Sequence, residues 1–224
     1  MIRTEIGPNS IAKAGFKGDS FNRLHPAMRH LLMDIFLSVC MGIGLAAACG
    51  FRVFVPFLLL SVAALTGHVQ LAKGFAWMGT YPALITFSVA TAIEVAGYYI
   101  PWVDHLLDTM ATPAAVVAGI VVTAAQLVNV DPYLQWTLAA IAGGSIAGVI
   151  QGGTVLTRAA STSTTAGLGN PLVSTGELVL SFFVSLLALI VPVLAAILIL
   201  FLAVFLGRKL WKRFRPVSSS LVRS

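Results

Sequence analysis

The chain has 224 residues, of which 58% are hydrophobic and 10% charged, and its mean hydropathy is +0.94. A soluble domain of this size carries far more charge to keep its surface wetted, and the apolar residues fall in runs long enough to cross a hydrocarbon core of about 30 Å. The formal charge of +6 is gathered at the two ends, which favours anionic lipid headgroups over nucleic acid as the partner of those ends.

In chain order, residues 1–30 read as a basic, cytoplasmic N-terminal segment carrying Arg3, Lys13, Lys17, Arg23 and Arg29. Their polarity argues against a cleavable leader. From Leu31 to Leu65 the chain is apolar for longer than one span needs, interrupted by Arg52 and Pro56. This predicts a full span at 31–51, then a bent or partly re-entrant continuation, because an interior proline kinks a helix. Cys40 and Cys49 fall on opposite faces of that helix, so they form neither a metal pair nor an internal disulfide. Gly67 to Gly79 reads as a loop with the interfacial aromatic Trp77, and 82–99 as a second span containing Glu94.

Residues 100–112 read as a connection and 113–128 as a short third span. Asp131-Pro132 marks a turn, since proline biases the residue before it away from helix. A fourth span at 134–157 is rich in Ala and Gly, which permits close helix contact. Residues 158–176 are polar, and the last apolar run, 178–206, is 29 residues long. A straight helix of that length would measure ~43 Å, so Pro192 is expected to break or kink it. The fold expected is all-α: a polytopic transmembrane bundle of five or six segments over residues 31–206, followed by a basic cytoplasmic tail at 207–224. Gly44 to Arg52 and Gly144 to Arg158 are each followed by one glutamate. This hints at a weak internal repeat of the kind that builds transporters from broken helices.

Three stretches carry chemistry. The first is Gly50-Phe51-Arg52-Val53-Phe54-Val55-Pro56, where an arginine inside an apolar run must snorkel, pair or face water. Arg52 then either binds an anionic group or pairs with Glu94 or Glu177 to fix helix packing. The second is Ile100 to Asp108. Asp104 and Asp108 are i, i+4 neighbours beside His105, a set able to hold a divalent cation or relay a proton. The plainer reading is an amphipathic interface helix with Trp102 at headgroup depth. The third is Arg158-Ala159-Ala160-Ser161-Thr162-Ser163-Thr164-Thr165, then Gly167-Leu168-Gly169-Asn170-Pro171. There hydroxyls and free amides beside an arginine could cradle an anion, or simply form a solvent loop. The stretch is expected to fold back toward the bundle.

Together and in this order, over roughly residues 40–200, these stretches resemble the bacterial membrane proteins grouped as domain of unknown function 4126. The resemblance implies an all-helical membrane protein and carries no activity or functional residues with it; the localisation expected is a bacterial inner membrane.

The functional expectation is a small transporter or channel-like protein rather than an enzyme. A polar site lined by Arg52, Glu94, Arg158, Glu177 and Asn170 would take a small anionic or lipid ligand, with no cofactor. A lipid-handling membrane enzyme or lipid-binding scaffold is the alternative. Small-residue helices also invite a homodimer.

Overall fold

A computed structural model of the protein describes residues 26–214, with the side chains at 26–28, 101–106, 108, 206–207 and 209–214 outside the description. The expected cytoplasmic tails therefore lie largely outside the described residues. The chain divides after Asp34 into two units. The described part of the first is the opening of helix α1 (Pro26–Cys49), and the second, from Ile35 onward, holds the rest of α1 and every later helix.

The described residues contain helices and no strand: α2 (Phe54–Leu65), α3 (Tyr81–Gly97), α4 (Pro101–Gln126), α5 (Pro132–Leu138), α6 (Ser145–Thr165), α7 (Asn170–Ile190) and α8 (Pro192–Phe214). A 3-10 helix, Lys73–Gly79, precedes α3 at a 70° bend, within what the sequence reads as a loop. Among the described residues four helices are long and apolar enough to cross a membrane, or five if that bent pair forms one span. Five is the lower of the two counts expected. Phe54–Leu65 and Pro192–Phe205 are shorter apolar helices. Ile93, Ile141 and Phe183 point outward while Arg52, Glu94, Arg158 and Glu177 are buried, the reverse of a water-soluble surface.

The first long run breaks where expected, but not for the expected reason. Pro56 is the third residue of α2, where its missing N–H has no helical acceptor in any case, so it opens the helix instead of kinking it. The break at 50–53 sits where Gly50 lies against α6: a Cβ there would meet Ile150 Cβ at 2.6 Å and the Ala147 carbonyl at 2.8 Å.

The expected connection at 100–112 is instead the first half of α4, which runs through Pro113. One lost backbone bond is less costly in a membrane than a loop whose several backbone groups would go unpaired. The Asp131 turn is present. Its Oδ1 accepts from the Tyr133 and Leu134 amides at 2.9 and 3.4 Å and starts α5. A π-turn at Ala139–Gly144 joins α5 to α6 in one 34-residue apolar stretch, Pro132–Thr165.

That Ala/Gly-rich turn packs on α4. A Cβ on Gly119 would lie 2.6 Å from Ala147 Cβ, and one on Gly143 would run into the Gly119 carbonyl and the Thr123 hydroxyl. The helix backbones touch only because these side chains are missing.

The last run breaks at Val191, between α7 and Pro192 of α8. Helix α7 begins at Asn170, earlier than its apolar run. Asn170, Ser174, Glu177, Ser181, Ser185 and Ala188 make up its buried face, at the three- and four-residue spacing that keeps one side of a helix in register.

Candidate functional site

Four charged side chains from separate parts of the sequence converge where α1 gives way to α2. The Arg52 amide donates to the Ala48 carbonyl at 3.0 Å, closing the turn after α1. Val53, at the start of α2, provides no side-chain cap. Glu94, in the last turn of α3, does so from a distance. Its Oε1 accepts from the Val53 amide at 2.8 Å and its Oε2 from the Phe54 amide at 3.1 Å. A carboxylate on a helix N-terminus satisfies amides that have no helical partner and complements the dipole. Glu94 thus fixes the break, and with it the position of Arg52.

Arg52 is 2% exposed. Its Nη2 donates to the Ser174 carbonyl at 2.8 Å and to the Ser174 hydroxyl, and lies 3.7 Å from Glu177 Oε2. From α6, Arg158 grips the same carboxylate in a two-pronged pair. Its Nε donates to Oε1 at 3.0 Å and its Nη2 to Oε2. Both guanidinium groups also lie over the ring of Tyr98, with carbons 3.8 Å (Arg52) and 4.1 Å (Arg158) from its centroid. The electron-rich aromatic face stabilises cations that have been stripped of water. Two nitrogens of Arg52, Nε and Nη1, are buried and have no hydrogen-bond partner among the described residues.

Of the residues singled out in the sequence, Arg52, Glu94, Arg158 and Glu177 are thus brought together. Asn170 is buried near the α6–α7 turn, its Nδ2 donating to the Thr162 hydroxyl at 3.1 Å. The Asp104, His105 and Asp108 backbones lie in the first turns of α4, but their side chains are outside the described residues. No group of three His, Cys, Asp or Glu suited to a metal occurs among the residues that are described. Cys40 and Cys49 are free and buried.

The anion cradle expected from Arg158 to Pro171 does not form as a loop. Residues 158–165 continue α6, and the reversal is confined to Ala166 and Gly167, at φ 51° and 88°. Ser163 and Thr164 donate to the Ala160 carbonyl at 2.9 and 2.8 Å, and Thr165 to the Ser161 carbonyl at 2.7 Å. With no glycine or proline between 158 and 166 to stop the helix, the hydroxyls bond back to the preceding turn. From residues 158–165 it is Arg158 that pairs with Glu177.

Sequence reasoning missed Tyr98 and Ser174. Tyr98 falls at the end of the expected second span, 82–99, beside Tyr99, and nothing local sets it apart. Ser174 was legible in principle, being three residues before Glu177 on the face continued by Ser181 and Ser185.

Residues 39–212, a stretch that contains every residue of this cluster, match the family model described as "Domain of unknown function (DUF4126)". No curated protein and no solved structure matches the chain.

Proposed function

This chain belongs to the DUF4126 family, and we propose that it is a small transporter that takes an anionic group onto Arg52 inside its helical membrane domain. The observation that carries this reading is the guanidinium itself, buried to 2% exposure with Nε and Nη1 unpartnered among the described residues. A buried donor without an acceptor costs about 1–3 kcal/mol, more when it is charged, and native proteins rarely leave one without a use. An incoming carboxylate or phosphate supplies the missing acceptors and offsets the cation's desolvation at the same time.

Glu177 serves as the resident anion. Arg158 holds it by both oxygens, whereas Arg52 has it only at 3.7 Å, so a ligand competes for Arg52 first. Irregular backbone at membrane depth is tolerated where it lines a polar cavity, and broken helices supply the moving parts of transporters. The break between α1 and α2 carries Arg52, and Glu94 ties that break to α3. We place both basic tails in the cytoplasm of a bacterial cell, with the domain in its inner membrane.

The test is solute uptake into proteoliposomes from a panel of labelled carboxylates and phosphates. The wild type should take up at least one anion saturably. Arg52→Ala, still monodisperse, should lose about 100-fold or more of that rate, and Arg52→Lys should keep part of it. Uptake at the wild-type rate by Arg52→Ala, or no uptake of any anion by the wild type, overturns the proposal.

A further inference from the structure

Beside the arginine cluster lies a cavity of about 400 Å³ whose walls come from α6, α7, α8 and the residue before Arg52. Its size falls within the range of small-molecule sites, about 300–1,000 Å³. Phe51, Ile150, Val173, Leu180 and Leu202 make most of the lining apolar, and one charged group, Glu177, closes one part of it. That carboxylate is the one both arginines hold. An apolar chamber and an anion-binding cluster therefore share a wall.

Two further lining residues are glycines on facing helices, Gly153 of α6 and Gly176 of α7. A Cβ at either would meet nothing within 4 Å. They contrast with Gly50, Gly119 and Gly143, where a Cβ would strike a neighbour. Glycine inside a helix costs roughly 0.5–1 kcal/mol relative to alanine. No packing contact demands it at 153 or 176, so what these glycines preserve is the space. At the rim, Leu180 is 50% and Leu202 36% exposed. Outward apolar side chains on a membrane helix face lipid, so these two residues give the chamber a side open to the acyl region.

We infer that the ligand is an anionic amphiphile, one hydrocarbon chain of which lies in this chamber while its carboxylate or phosphate head reaches Arg52 past Glu177. This rests on the reading of Arg52 as an anion site and adds the class of molecule that carries the anion. A small hydrophilic anion would use the arginines and leave the apolar chamber without an occupant. A neutral hydrocarbon would fill the chamber and supply no acceptor for Arg52 Nε and Nη1. A molecule with both parts matches both features and can enter from the bilayer.

The experiment is photolabelling in phosphatidylcholine nanodiscs with hexadecanoate bearing a mid-chain diazirine, the adducts being mapped by mass spectrometry. In the wild type, adducts should concentrate on Phe51, Ile150, Leu180 and Leu202. Gly153→Leu and Gly176→Leu should each reduce them about 10-fold, as should Arg52→Ala, while outward positions such as Ile93 and Phe183 label as before. Competition in the wild type keeps the test valid if a leucine variant fails to fold. Excess hexadecanoate or phosphatidylglycerol should displace the label and hexadecanol should not. Displacement by hexadecanoate alone assigns a free fatty acid, and displacement by phosphatidylglycerol assigns a membrane phospholipid. Labelling spread evenly over the outward face in every protein overturns the inference. If Arg52→Ala nevertheless abolishes anion uptake in that case, the anion site stands and only its amphiphilic ligand is refuted. Chamber labelling that survives Arg52→Ala, or that hexadecanol removes equally well, overturns the anionic head.

Discussion

Arg158 and Glu177, 19 residues apart in sequence on consecutive helices, form a two-pronged ion pair whose side chains are only 4% and 6% exposed. Removing Arg158 strips Glu177 of its close partner and leaves it, among the described residues, only Arg52 at 3.7 Å, which should cost a few kcal/mol, up to the ~3–5 kcal/mol typical of a broken buried pair. Arg158→Ala should therefore lower the thermal midpoint in detergent sharply. The double variant Arg158→Met with Glu177→Leu should recover part of that loss, since apolar groups of similar volume replace a buried pair at little cost while Arg52 still loses Glu177 at 3.7 Å. Equal losses in the single and the double variant would show that the pair contributes no such coupling.

Glu94 acts on stability through the start of α2. Glu94→Gln keeps one good acceptor for the Val53 and Phe54 amides and should cost about 1 kcal/mol. Glu94→Ala leaves both amides without an acceptor and should cost about 2 kcal/mol or more. Hydrogen exchange at these two amides reads the effect locally, with protection falling from wild type to Gln to Ala. Unchanged protection in Glu94→Ala would remove Glu94 from its capping role.

The glycines divide into two kinds. Gly143→Ala forces a methyl onto the Gly119 carbonyl and the Thr123 hydroxyl and should destabilise by about 1–3 kcal/mol. Gly153→Ala meets open space and should stabilise by about 0.5–1 kcal/mol through helix propensity. Unfolding curves of the two variants side by side check the opposite signs.

The hydroxyls at Ser163, Thr164 and Thr165 are bonded to their own helix. Replacing all three by alanine should leave anion uptake within about 2-fold of wild type, because surface changes of this kind stay within about ±0.5 kcal/mol. A large loss would return them to the site.

The charged cluster was legible because a membrane interior makes every charge conspicuous. Arg52, Glu94, Arg158 and Glu177 stand out of apolar runs, and the cost of burying them predicts that they meet. Their individual partners were not legible. Glu94 turned to backbone amides because α2 starts without a cap of its own, a fact of the break and not of the composition. Tyr98 was invisible because its ring is placed by the end of α3, and only the fold brings two guanidinium groups to it. The run from Ser161 to Thr165 looked like a loop because its residues are polar, yet hydroxyls can be satisfied inside a helix. Pro113 and Pro56 looked like boundaries or kinks, but one is carried through the interior of α4 and the other opens α2. Proline marks where a backbone donor is missing, and tertiary context decides whether that matters.

If Arg52 waits for an anion, ligand-dependent thermal stability shows it most directly. A ligand that binds only the folded state stabilises it by about 2.7 kcal/mol at about a hundred times its dissociation constant. Wild-type protein in neutral nanodiscs should show a saturable rise in its unfolding midpoint when titrated with dodecyl phosphate. Arg52→Lys should respond more weakly, Arg52→Ala not at all, and dodecanol should raise none of the three. An equal rise in Arg52→Ala, or none in the wild type with dodecyl phosphate, would contradict the assignment of Arg52 as the anion site.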